Sequence, residues 1–89
     1  EIAKLAQDGT ATASTDGKTI TVKFNRNIAD GATFTTDDTN TVITGVTVSG
    51  KTATITLNNA LATGKKITIG TVKDAVYAAN TASGDVYTA

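Results

Sequence analysis

Thr19-Ile20-Thr21-Val22-Lys23-Phe24 alternates apolar residues with threonine or lysine, and Thr52-Ala53-Thr54-Ile55-Thr56-Leu57 does the same. A period of two places successive side chains on opposite faces of an extended strand. Each segment therefore reads as a strand with one dry face and one wet face. Working outward, turn signals recur every eight to twelve residues, as in a sandwich of short antiparallel strands.

Thr15-Asp16-Gly17-Lys18 predicts the turn before the first of these strands, with Thr10–Ser14 as a short strand ahead of it. Ala32-Thr33-Phe34 follows a polar loop plugged by Ile28. Thr41–Thr44 and Val46–Ser49 read as strand interrupted at Gly45, a kink or bulge. Ser49-Gly50 predicts the hairpin turn into the second Thr-rich strand. Lys65–Val72 and Asp85–Thr88 complete the set, with an Ala-rich loop between them that suits a helical turn at Ala75–Ala79. The expected fold is an all-β, antiparallel sandwich of about seven strands. Its expected core is Ile20, Val22, Phe24, Ile28, Phe34, Val46, Val48, Ile55, Leu57, Leu61, Ile67, Ile69, Val72 and Tyr87. Residues 1–9 have another texture. Ile2 and Leu5 sit three apart, and the segment reads as a linker or the tail of a preceding element, leaving 10–89 as the domain.

The chain has 89 residues, enough for one domain with one thin core. Eight basic and eight acidic residues balance, and the only adjacent basic pair is Lys65-Lys66. Phosphate backbones call for more contacts than that, so no nucleic-acid partner is expected. No apolar run approaches the roughly 20 residues of a membrane-spanning helix, so no membrane insertion is expected. The first residue is Glu1, which suggests a mature product or an excised module.

His, Cys, Met and Trp are all absent. The commonest general base, the thiolate nucleophile and the soft metal ligands go with them. Ser14, Ser49 and Ser83 lack a histidine base or an elbow motif, so catalysis is not expected. Threonine is in excess, at twenty residues. It is β-branched, so it favours strands while keeping an outward face wet.

The order of landmarks resembles a known family. Asp16-Gly17-Lys18 leads into Thr19–Asn25; Ser49-Gly50-Lys51 leads into Thr52–Leu57. Leu61 and Gly64 then precede Ile67-Thr68-Ile69, and Val72-Lys73-Asp74 opens the last loop before Asn80. This is similar, over about residues 10–88, to the bacterial Ig-like modules of surface-layer and other cell-envelope proteins. The family's short turn from Asp to Gly-Asn is stretched here, running from Asp74 to Asn80 with no glycine before the asparagine. The resemblance implies an Ig-like β-sandwich in an exported bacterial surface protein, contributing to assembly or spacing. Its implied partners are neighbouring Ig-like modules or identical subunits. The alternative is an adhesion or recognition module with a glycan or host-surface partner, including a domain of a phage virion.

Surface-layer arrays often use calcium, which makes the acidic loops relevant. Asp37 and Asp38, beside Thr39 and Asn40, supply hard oxygens, and Asp74 and Asp85 flank the last loop. These four are the candidate calcium ligands. Against them stand the lack of an alternating acidic loop and of a bidentate glutamate, since Glu1 is the only Glu. As turn acids they would instead bond their own backbone. Tyr77, in the last loop, reads either as a ring packed over a sandwich end or as a sugar platform.

Overall fold

In a computed structural model that describes all 89 residues, the alternating segments are strands at the centre of one sheet. There are eight strands. β1 (Thr12–Ala13), β2 (Thr19–Lys23), β3 (Thr33–Thr36) and β4 (Ile43–Ser49) come first. β5 (Thr52–Leu57), β6 (Lys66–Lys73), β7 (Thr81–Ala82) and β8 (Asp85–Thr88) follow. All pairings are antiparallel. One sheet has the order β1-β2-β5-β4; in the other, β3 lies on one edge of β6 while β7 and β8 share its other edge. The additional strand is β7, which lies inside the segment expected to be loop. Two residues are too few to show an alternation. No helical turn forms at 75–79.

The two sheets close on Ile20, Val22, Ala53, Ile55 and Leu57 from one side and Phe34, Ile67, Val72, Ala82 and Val86 from the other. In register, Ile20 faces Ile55 and Val22 faces Ala53, so the dry faces of β2 and β5 form one surface. Val46, Val48, Leu61 and Ile69 pack at its margin, half-buried. On β8 it is Val86 that is buried, and Tyr87 is half-buried beside it. Parity within a four-residue strand leaves both assignments open until its partner fixes the register.

Two glycines have specific work. Gly50 and Lys51, not Ser49 and Gly50, form the β4–β5 loop, because Ser49 pairs with Thr52. Gly50 has φ of 59°, and no non-glycine residue has positive φ, which is the sign pattern of a two-residue II′ hairpin. Gly70 is the extra residue of a bulge, where Thr33 pairs with Thr71 but Phe34 with Ile69. A Cβ there would meet Thr33 Oγ1 at 2.6 Å and Thr33 O at 3.2 Å. A second bulge falls between Ile43 and Gly45, at the kink expected near Gly45.

The N-terminal segment is part of the domain, not a linker. Leu5 is 1% exposed, in the core. Asp8 N donates to Lys23 O at 2.8 Å, and Asn25 N donates to Ala6 O at 3.0 Å. Gln7 Nε2 crosses to the other sheet and donates to Val86 O at 2.8 Å. The backbone of this segment is held by side chains as well as by strands. Asn25 Oδ1 accepts from Ala6 N and its Nδ2 donates to Lys4 O. Asn80 Oδ1 accepts from Leu5 N and its Nδ2 donates to Ala3 O. Two side-chain amides thus do for this segment what a neighbouring strand does elsewhere.

The molecule measures 40 × 21 × 20 Å. At one pole lie Ala3 and Lys4, the 25–31 loop, the Gly50–Lys51 turn and the 74–80 loop. Contacts join them there: Phe24 N to Lys51 O, Ile28 N to Gly50 O and Ala75 N to Asn27 O. At the other pole lie the 15–18 turn, residues 37–42 and 58–65, and Ala89. Leu57 N donates to Lys18 O, Asn58 N to Val42 O and Gly64 N to Ala89 O.

Candidate functional site

The most organised polar cluster sits at the first pole, where the 25–31 and 74–80 loops meet. Asp74 follows the last residue of β6 and is 2% exposed. Burying a carboxylate is costly unless its charge is paired and its lone pairs are filled. Both conditions are met. Oδ1 accepts from Val76 N at 2.9 Å and from Tyr77 N at 3.3 Å, which folds the loop over the carboxylate. Oδ2 accepts from Arg26 Nε and from Asn80 Nδ2, the latter at 3.1 Å. The Arg26 guanidinium first, and then the Val76 N–H, hold the Asp74 carboxyl far below the usual carboxylate range.

Asp74 N also donates to Asn80 O at 2.9 Å. The stretched turn therefore still closes Asp on Asn, with the intervening residues bulged outward. That bulge exposes Val76 (72%) and Tyr77 (50%). Arg26 Cζ lies 5.7 Å from the Tyr77 ring centroid, a cation–π distance. Beside them opens a hollow of about 230 Å³ lined by Asn25, Arg26, Asn27, Lys51, Asp74 and Val76. One half-buried arginine, one lysine and two asparagines thus surround a carboxylate whose oxygens are already engaged.

The remaining candidate ligands lie near the opposite pole. Asp37 Oδ1 accepts from Lys66 N at 2.8 Å. Asp38, although adjacent, turns inward; Oδ1 accepts from Asn40 N and Oδ2 from Ala62 N, each at 2.9 Å. Those two N–H groups, Ala62 first, lower its carboxyl below the ordinary value. Asp85 Oδ1 accepts from Thr68 Oγ1 at 2.8 Å, and Oδ2 is 3.4 Å from Lys66 Nζ. The Thr68 hydroxyl is the main cause of its lowered pKa. Asp85 pairs with Thr68, six residues before Asp74 along the strand direction, so the two acids stand about 20 Å apart. No three acidic residues converge anywhere. The carboxylates are fitted to N–H, hydroxyl and ammonium donors of the chain, and their arrangement does not form the six-to-eight-oxygen cage that calcium takes.

The sequence matches the bacterial Ig-like domain over residues 4–88. The chain belongs to that family. The match includes the N-terminal segment from Lys4 onward, in keeping with the burial of Leu5. Bacterial Ig-like domains typically occur in extracellular or surface proteins and generally serve as binding or structural modules. No curated protein and no solved structure matched the chain.

Sequence reasoning missed Arg26, Asn25 and Asn80 as site-building residues. The one available signal is the pair of asparagines beside turn positions. Neither periodicity nor spacing indicates that Arg26 meets an acid 48 positions away.

Proposed function

We propose that this bacterial Ig-like domain is a structural spacer in an exported surface assembly of the surface-layer type, standing end to end with neighbouring modules. The observation that carries this reading is polarity. Residues 3–4 are fastened to Asn25 and Asn80 at one pole, while Ala89 is hydrogen-bonded to Gly64 and Lys65 at the other. A module linked through such ends transmits its 40 Å long axis into the length of the array. The chain's three exposed large apolar residues also lie at the poles: Val76 and Tyr77 at the first, Val42 at the second. Those are the surfaces that serial neighbours bring together. Two copies joined in series through a short linker should scatter X-rays as a rod with a maximum dimension about twice 40 Å. A side-by-side particle of much smaller maximum dimension would sink the spacer reading. Antibody labelling of intact cells tests the surface location.

A recognition role is favoured by one feature, the Tyr77 ring standing half-exposed with Arg26 over it beside an open polar hollow. An aromatic face with amide and cationic neighbours suits the face and hydroxyls of a sugar. On this reading, a glycan array gives hits that Tyr77→Ala removes, with binding weakened roughly tenfold or more for loss of an aromatic anchor. An array without hits, or hits indifferent to Tyr77→Ala, removes it.

A further inference from the structure

The sheet edges of this domain are not equally protected. Exposed edges present unpaired N–H and C=O groups, and proteins commonly blunt them with charge, proline, bulges or brevity. β1 is two residues long. β3 is four residues long, and Asp30 precedes it while Asp37 and Asp38 follow. β8 is four residues long and opens on Asp85. β4 differs. It is seven residues long, pairs only with β5, and lies in a run from Thr39 to Gly50 with no charged residue and no proline. Its bulge lies at its first residues, between Ile43 and Gly45, leaving Val46–Ser49 in regular register.

The geometry of that regular stretch specifies a partner. In a two-residue hairpin the flanking pair, Ser49 and Thr52, exchanges hydrogen bonds. Alternation then turns the N–H and C=O of Thr47 toward β5 and those of Val46 and Val48 toward the open edge. The Val46 and Val48 side chains stay packed against the core, while Thr47 is exposed. We propose that β4 is a self-pairing edge, on which a second copy of this chain docks antiparallel about a two-fold axis at Thr47. This deepens the structural reading given above and rests on it. In that register Val46 of each copy opposes Val48 of the other, and the outward groups of both satisfy one another. Thr47 faces its own twin at a non-hydrogen-bonded position. Lys51 of one copy falls opposite Ile43 of the other, so the two lysines stay apart. A two-fold pair brings a strand against itself in reverse, so any charge near the axis would meet its own copy. A neutral β4 fits an identical partner, and the two four-stranded sheets become one of eight strands.

The full 89-residue chain serves for the test, and its lack of cysteine makes single-cysteine probes clean. At a non-hydrogen-bonded antiparallel pair the Cα atoms are about 4.5 Å apart, within disulfide reach. Thr47→Cys should therefore oxidise to a covalent dimer much faster than Thr35→Cys on the β3 edge. Sedimentation over a concentration series should show wild-type dimers. Thr47→Lys, with an unchanged circular dichroism spectrum, should weaken association by roughly fivefold or more, since like charges then stand opposite. Mixing Thr47→Lys with Thr47→Glu should restore pairing. A wild-type chain that stays monomeric throughout overturns the proposal, as does equal crosslinking at position 35. So does association unaffected by Thr47→Lys. A monomeric chain whose serial pair is still an extended rod removes the edge contact alone; a dimeric chain whose serial pair, carrying Thr47→Lys in both copies to block β4 docking, is not extended removes the spacer alone.

Discussion

Ile55→Ala is expected to cost about 2–5 kcal/mol of folding stability, the range for truncating a buried aliphatic side chain to alanine. The position argues for the upper half of that range. Ile55 is fully buried on β5, a strand paired on both edges, with Ile20 on one side and Val46 on the other. A central strand cannot shift to fill a void without breaking two ladders, so the cavity stays open. A domain of this size has a total stability on the order of 5–10 kcal/mol, so one such substitution removes a large share of it. Urea unfolding followed by circular dichroism reads the change as a fall in midpoint at constant slope. Val46→Ala serves as the internal comparison. It also removes apolar atoms from the core, but from a half-buried residue on the edge strand, where neighbours and solvent fill the gap. Its cost should be clearly smaller. Equal losses at the two positions would show that the core is not centred on the β2–β5 pair.

The residues that made that pair legible are the ones whose burial follows from alternation alone. Ile20, Val22, Ile55 and Leu57 announce an inward face because threonines separate them. Alanine does not announce itself. Ala11, Ala32, Ala53 and Ala82 are all buried, yet their small side chains fit either environment, so only the pairing register assigns them. Leu5 was hidden for a different reason. Its segment has no alternation and belongs to neither sheet's main ladder, and the amides of Asn25 and Asn80 hold it in place. The pole cluster was half visible. Asp74 and Asn80 are landmarks of the last loop in the sequence, and Tyr77 is the aromatic candidate between them. The charge that neutralises Asp74 comes from another loop, through a contact set by the whole sandwich. Edge strands are a case of partial legibility as well. The neutrality of Thr39–Gly50 is plain in the sequence, but only the strand order shows that it lies on an open edge.

Asp74→Asn should destabilise the domain at neutral pH, and the difference from wild type should close in acid. Asparagine keeps an oxygen for the Val76 and Tyr77 N–H groups, but it brings an NH₂ and no charge to the side occupied by Arg26 and Asn80. The sign follows from the direction of the shift. In the folded chain the Asp74 carboxyl is held far below its ordinary value, chiefly by Arg26, whereas in the unfolded chain it titrates near pH 3.9. Its contribution is therefore complete above about pH 4 and is lost as pH falls from there toward the folded value. Within that window the unfolded chain binds one proton that the folded chain does not, so this group raises the unfolding constant about tenfold for each unit of pH lost. Asp16, Asp38 and Asp85 are shifted in the same direction, by the Ser14 hydroxyl, the Ala62 N–H and the Thr68 hydroxyl respectively, and they steepen the acid limb of both proteins alike. The variant's limb should be shallower by the one proton that belongs to Asp74. Urea midpoints at a series of pH values resolve this, with a gap that is constant from neutrality to about pH 4 and then narrows. A gap that persists unchanged to the lowest pH would assign the loss to packing of the 74–80 loop and not to the ion pair. Because that loop also presents Val76 and Tyr77 to whatever lies beyond the pole, the same titration bears on function. The surface at the first pole should loosen in acid before the β2–β5 core does: once the fall of the intrinsic exchange rate with pH is divided out, amide protection at Val76 and Tyr77 should drop at a higher pH than protection at Ile55.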